Sequence, residues 1–145
     1  AVAAVRGRID GADLRVDIEP DLKPVLADRD AITTALINLL DNAVKYSPGQ
    51  KAIAIHLGRD ADDLVAFAVS DRGIGIAPRD QRRIFRRFYR VDRRLASATT
   101  GVGLGLSIVE QIARAHGGDV TVHSAPGAGS TFTLRLRTAD AGAAA

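Results

Sequence analysis

Four short motifs follow one another along this 145-residue chain, and their order restricts the fold more than any other feature. They are Asn38-Leu39-Leu40-Asp41-Asn42-Ala43-Val44-Lys45-Tyr46, Asp71-Arg72-Gly73-Ile74-Gly75-Ile76, Ile84-Phe85-Arg86-Arg87-Phe88-Tyr89-Arg90, and Gly101-Val102-Gly103-Leu104-Gly105-Leu106. The first lies in a helical pattern, the second follows a strand pattern, and the last opens a helical pattern. Packing alone does not account for such an ordered set.

The segments around the motifs are periodic. Leu14, Val16 and Ile18 alternate with polar residues, as do Ile53, Ile55 and Leu57, and Val65, Phe67 and Val69; each run predicts a strand. Val120 and Val122, then Phe132, Leu134 and Leu136, predict two more, joined by the Gly/Pro turn from Ser124 to Ser130. A helix capped by Asp28 or Asp30 runs to about Tyr46, with Ile32, Leu36, Leu39, Leu40 and Ala43 inward, and Ser47-Pro48-Gly49 ends it. Pro78 opens a short helix through Phe88. Leu104, Ile108, Ile112 and Ala115 form a helical stripe that Gly117 stops. The fold class expected is α+β, a two-layer sandwich. One domain is expected over 1–137, with residues 138–145 as a disordered tail.

Composition closes off several function classes. There is no Cys, hence no disulfide framework and no thiolate metal site. No apolar run approaches the roughly 18 residues of a membrane span. The chain does not begin with Met and reads as a piece of a longer protein. Net charge is +3, and eight of the arginines lie between Arg79 and Arg94. That stretch suits either phosphate binding or a solvated helix face. Aromatic residues are only 4%, which argues against stacking on single-stranded nucleic acid.

The motif residues carry chemistry of their own. Asn38, Asn42 and Lys45 share one helix face at i, i+4 and i+7. Read alone, the stripe either faces solvent or offers amide oxygen to Mg²⁺, which prefers hard oxygen ligands. Asp71 ends a strand ahead of Gly73 and Gly75. Its carboxylate accepts hydrogen bonds only, so it suits the amino group of adenine and opposes the carbonyl of guanine. A plain Asp-x-Gly turn is the alternative. Gly101, Gly103 and Gly105 precede a helix whose N-terminal N–H groups favour phosphate. The Gly-Lys-[Ser/Thr] of a P-loop is missing there.

Taken together, the motifs resemble the ATP-binding catalytic domain of bacterial sensor histidine kinases, over nearly the whole chain. The resemblance implies a Bergerat fold, with a mixed, mostly antiparallel sheet of about five strands on three helices. It implies ATP and Mg²⁺ as ligands, with Asn42 holding the metal, Lys45 on phosphate and Tyr46 near the base. Asp71, Gly73, Gly75 and Ile76 would form the base site, and Gly101, Gly103, Leu104, Gly105 and Leu106 the phosphate loop. Thr131 would help line the pocket. Asn38, Lys45 and Arg90 are the expected catalytic positions. Phe85 and Phe88 would anchor a lid over 90–100. Related ATPases of the gyrase, Hsp90 and MutL type carry a water-activating Glu where this chain has Asn38, and a neutral amide cannot take a proton.

The expected function is therefore transfer of the γ-phosphoryl group of ATP to a histidine on a separate dimerisation and phosphoacceptor domain, with a response regulator downstream. His56, His116 and His123 do not match an acceptor and are expected to be structural. The resemblance implies a cytoplasmic location, within a membrane-bound parent kinase. No nucleic-acid partner is expected, and the isolated piece should be monomeric, since it has no long heptad helix. Two alternatives are an ATP-hydrolysing gyrase/Hsp90-like module and a nucleotide-sensing module without catalysis.

Overall fold

The computed structural model describes residues 13–45, 52–61, 63–81, 83–86 and 105–139. Strand β1 (Asp13–Ile18) leads to helix α1 (Arg29–Lys45), strands β2 (Ala52–Ala61) and β3 (Leu64–Asp71), the short helix α2 (Pro78–Gln81), helix α3 (Gly105–Ala115), and strands β4 (Asp119–Ser124) and β5 (Ser130–Arg137). The five strands form one sheet in the order β1-β2-β3-β5-β4. β1 lies parallel to β2, with Val16 opposite Ile55, and the remaining pairs are antiparallel. A parallel neighbour requires a crossover, which α1 supplies. This is the expected α+β sandwich.

Asp28 caps α1, its Oδ1 accepting from the N–H groups of Asp30 (3.0 Å) and Ala31 (3.4 Å). Ile32, Ala35, Leu36, Leu39, Leu40 and Ala43 recur at helical spacing and are buried against the sheet. Ile53 and Ile55 of β2, Val65 and Val69 of β3, and Phe132, Leu134 and Leu136 of β5 supply the other wall of the core. Asp71 continues the inward parity of Val65, Phe67 and Val69. A polar residue therefore ends the apolar side of a central strand.

Three expectations change. The inward stripe of α3 is Val109 and Ala113, with Leu106 and Ile112 partly buried beside them, while Ala115 is exposed. The helix is turned about one position from the expected stripe, with Ser107, Val109 and Ala113 inward. α2 ends at Gln81 rather than running to Phe88; beyond it Ile84 is buried and Phe85 meets Phe132 edge-on, ring centroids 6.3 Å apart. Phe88 lies outside the described residues. Finally, Thr138 and Ala139 belong to the fold rather than to a disordered tail. Thr138 bridges Val25 and donates its N–H to Asp63 O at 2.9 Å, and Ala139 N–H donates to Pro24 O at 2.9 Å. The turn before α1 needs partners for its backbone groups, and these two residues provide them.

α3 stops in a left-handed glycine cap. Gly117 has φ of 72°, Gly118 N–H reaches Ala113 O at 2.9 Å, and Gly117 N–H reaches Arg114 O at 3.1 Å. His116, just before the cap, donates from Nδ1 to Ile112 O (2.7 Å) and accepts at Nε2 from the Asp28 N–H (3.1 Å). His56 Nδ1 donates to Asp17 Oδ2 across the β1–β2 pair at 2.9 Å. His123 sits exposed on edge strand β4. The first two bridge elements of the fold.

Candidate functional site

Asp71 is the pivot of the site. It is 6% exposed, at the end of β3. Its Oδ1 accepts the N–H of Gly73 at 2.8 Å and of Ser130 at 3.3 Å. Both bonds fall on one oxygen, so Oδ2 has no partner among the described residues. Burial pushes the carboxyl above its ordinary range, and the two backbone N–H groups offset only part of that shift. A carboxylate oxygen with no partner among the described residues suits a ligand that donates a hydrogen bond.

The loop after Asp71 rests directly on the β4–β5 turn. Gly75 and Gly129 both have positive φ, 73° and 81°. A Cβ on Gly75 would run into the Ala125 carbonyl, and one on Gly129 into the Asp71 carbonyl. At these two positions glycine answers to backbone contact as well as conformation. Gly127 N–H donates to Ile74 O at 2.7 Å, locking turn to loop. Ile76 is buried in the core and its N–H donates to Ser124 Oγ at 2.8 Å.

Asn38 and Asn42 lie one turn apart on α1, both half-buried. Asn38 Nδ2 donates to Thr34 O at 3.1 Å. Its Oδ1 points at the first residue of α3, 3.2 Å from where a Cβ on Gly105 would sit. The Asn42 amide makes no hydrogen bond among the described residues. Among the described residues no three His, Cys, Asp or Glu side chains gather as a metal site. A cation here would have to draw on amide oxygen, ligand oxygens and water, and Asn42 suits Mg²⁺ in that role.

Gly105 opens α3 and Leu106 is partly buried in the core, so the helix N-terminus faces the asparagine stripe of α1. Lys45 closes α1; its side chain, together with Tyr46, Arg90, Gly101, Gly103 and Leu104, lies outside the described residues. Thr131 is not placed with Asp71. It faces the opposite side of the sheet, where its hydroxyl shares a 2.9 Å hydrogen bond with Ser70 Oγ. Alternation along β5 puts Ser130 on the inward side with Phe132, and Ser130 is the residue bonded to Asp71.

Ser124, Ser130 and Gln81 are hydrogen-bonded to Asp71 or to the loop that follows it, and none of them is among the expected site residues. The parity of Phe132, Leu134 and Leu136, extended two residues back, identifies Ser130. Ser124 and Gln81 carry no sequence signal, because most of their partners are backbone groups that no side-chain pattern marks.

Residues 27–140 match the model of the histidine kinase-, DNA gyrase B-, and HSP90-like ATPases. The sensor-like histidine kinase SenX3 of Mycobacterium tuberculosis is 45% identical over 137 residues, covering 94% of this chain and 33% of its own length. The sensor histidine kinase WalK of Bacillus subtilis is 41% identical over 111 residues, covering 75% of this chain and 18% of its own length. The chain thus spans a third or less of these relatives. Among solved structures, the mycobacterial sensor histidine kinase MprB superposes with a TM-score of 0.77 at 29% identity, over 94% of this chain and 89% of that one. Full-length ShkA, solved in complex with AMPPNP, gives 0.75 at 29% identity, over 94% of this chain and 28% of that one. The family model covers most of the chain and SenX3 is 45% identical over nearly all of it, so the chain belongs to the histidine kinase-, DNA gyrase B-, and HSP90-like ATPase family.

Proposed function

We propose that this domain binds Mg-ATP and gives the γ-phosphoryl group to a histidine on the dimerisation and phosphoacceptor domain of its parent sensor kinase. A response regulator would take the group onward, and the domain would work on the cytoplasmic side of a membrane-bound receptor. Among the described residues no helix is long and apolar enough to cross a membrane. The observation that carries the reading is the second carboxylate oxygen of Asp71, which has no partner among the described residues. With Oδ1 held by two backbone N–H groups, Oδ2 can accept only from a donor, as the adenine amino group is and the guanine carbonyl is not.

The rest of the pocket follows from the same residues. The N-terminus of α3 presents backbone N–H groups to phosphate, and Gly105 lets that end approach Asn38. Asn42 offers amide oxygen to Mg²⁺, which when bound would offset phosphate charge. Lys45 and Arg90 are proposed to add cationic contacts, with Tyr46 beside the base. Asn38 holds its amide with the nitrogen toward Thr34 O and cannot deprotonate water. Such a site favours transfer to an external nucleophile over hydrolysis, and its contribution is positioning and electrostatics.

The test is to mix this domain with the phosphoacceptor segment of its parent and γ-labelled ATP. Label that appears on that segment, stable to base and labile to acid, is the expected result. Release of inorganic phosphate without labelling would favour the ATPase alternative, and binding without either would favour a nucleotide sensor.

A further inference from the structure

The base loop is held by a hydrogen-bonded clamp that lies outside the four motifs. Ser124 Oγ accepts from Ile76 N–H (2.8 Å), donates to Gly129 O (2.9 Å), and lies 2.8 Å from Ser130 Oγ. One hydroxyl has one proton, so with that proton on Gly129 O the Ser130 hydroxyl is the donor to Ser124. Gln81, the last residue of α2, sends its Nε2 to both Ile76 O and Ser124 O, each at 2.9 Å. Both partners are carbonyls, which only accept, so the nitrogen must be the atom placed there. The two amide protons of Gln81 are thereby used across two segments 43 and 5 residues away.

This network reaches Asp71 from two sides. Ser130 N–H bonds Oδ1 directly, and Ser130 is fixed by Ser124. Gly73 N–H bonds the same oxygen, and the loop that carries Gly73 is fixed at Ile76 by Ser124 and Gln81. The direction of Oδ2 therefore depends on the clamp. The clamp ties together α2, the base loop and the β4–β5 turn.

We infer that Gln81 and Ser124 are positioning residues for nucleobase selection, setting how well Asp71 distinguishes ATP from GTP. The inference rests on the adenine reading of Asp71. The clamp acts on the base alone, so its loss should change selectivity while phosphate binding persists. A simple structural brace would lower stability and weaken all ligands alike, or none.

The experiment compares wild type, Ser124→Ala, Ser124→Thr, Gln81→Met and Asp71→Asn in calorimetric titrations with Mg²⁺ plus ATP, GTP or tripolyphosphate, alongside thermal melts. Loss of one or two of these bonds should weaken ATP by roughly three- to tenfold and narrow the ATP/GTP ratio by the same factor. Tripolyphosphate binding should stay as in wild type, and Ser124→Thr, which keeps the hydroxyl, should restore most of the ratio. The inference is overturned if Ser124→Ala and Gln81→Met keep the wild-type ratio to within about twofold, or if they weaken all three ligands equally. If wild type itself does not prefer ATP and Asp71→Asn changes nothing, the adenine reading fails and takes the inference with it. A selective wild type, a non-selective Asp71→Asn and selective clamp variants would sink the clamp alone.

Discussion

Asn38 Oδ1 stands 3.2 Å from the point where a Cβ on Gly105 would lie, so α1 and α3 meet closely at the N-terminus of α3. At the other end of the same pair, His116 bonds the Asp28 N–H. The two helices are antiparallel and fixed at both ends, which sets the distance between the α3 N-terminus and Asn42.

Gly105→Ala tests the tight end. The new methyl must displace the Asn38 amide by a few tenths of an ångström, while alanine favours the helix by up to about 1 kcal/mol over glycine. The two effects oppose each other in stability, so the melting temperature should move little. Affinity for Mg-ATP should fall several-fold, as titration would show. Gly105→Val, bulkier and β-branched, should lower both.

His116→Ala tests the far end. It removes a bond to a backbone N–H and one to a carbonyl, and should cost about 1 kcal/mol in urea unfolding. The geometry also fixes the tautomer: Nδ1 carries the proton and Nε2 is the acceptor. Nitrogen chemical shifts of His116 in labelled protein should show this form. A proton on Nε2 would contradict the bridge.

Asp71→Asn should separate binding from stability. Burial holds this carboxyl above its ordinary range, so the folded state binds a proton more readily than the unfolded chain. Stability contributed at this position therefore falls as pH rises from the ordinary carboxylate range through the raised value. Asparagine removes the charge and keeps an oxygen for Gly73 and Ser130. The variant should melt at or slightly above wild type at pH 7, the gap closing as pH falls toward the ordinary carboxylate range. Its ATP affinity should drop while GTP is less strongly rejected. A variant that melts well below wild type at pH 7 would contradict this account.

Thr138 is 3% exposed, and its hydroxyl has no hydrogen-bond partner among the described residues. Leaving a hydroxyl buried in this way costs roughly 1–3 kcal/mol. Thr138→Val keeps the shape and removes the orphaned group, so it should raise the urea midpoint. An unchanged or lower midpoint would mean that a water or a neighbouring group satisfies the hydroxyl in solution.

Much of the fold is legible in the chain because its signals are local. The spacing of Ile32, Leu36, Leu39, Leu40 and Ala43 is that of a single buried helix face, and each strand alternates visibly. Asp71 stands out because it occupies an inward parity position. The errors are of a different physical kind. The resemblance points to Thr131 for the pocket, whereas the alternation of Phe132 and Leu134 sets Ser130 on the side of Asp71 and Thr131 on the other. The inward stripe of α3 is a tertiary choice that helical period alone leaves open. The role of Thr138 comes from pairing with Val25, more than a hundred positions away, and the Gln81–Ser124 clamp rests on backbone partners that no side-chain pattern reveals.

The most direct measurement is a calorimetric titration of this domain with ATP and Mg²⁺, run beside GTP and beside Asp71→Asn. The account predicts saturable ATP binding, much weaker GTP binding, and an ATP affinity at least about tenfold lower in the folded variant, since a buried donor would then face the adenine amine. Equal affinity for ATP and GTP, or an Asp71→Asn variant that binds ATP as well as wild type, would contradict it.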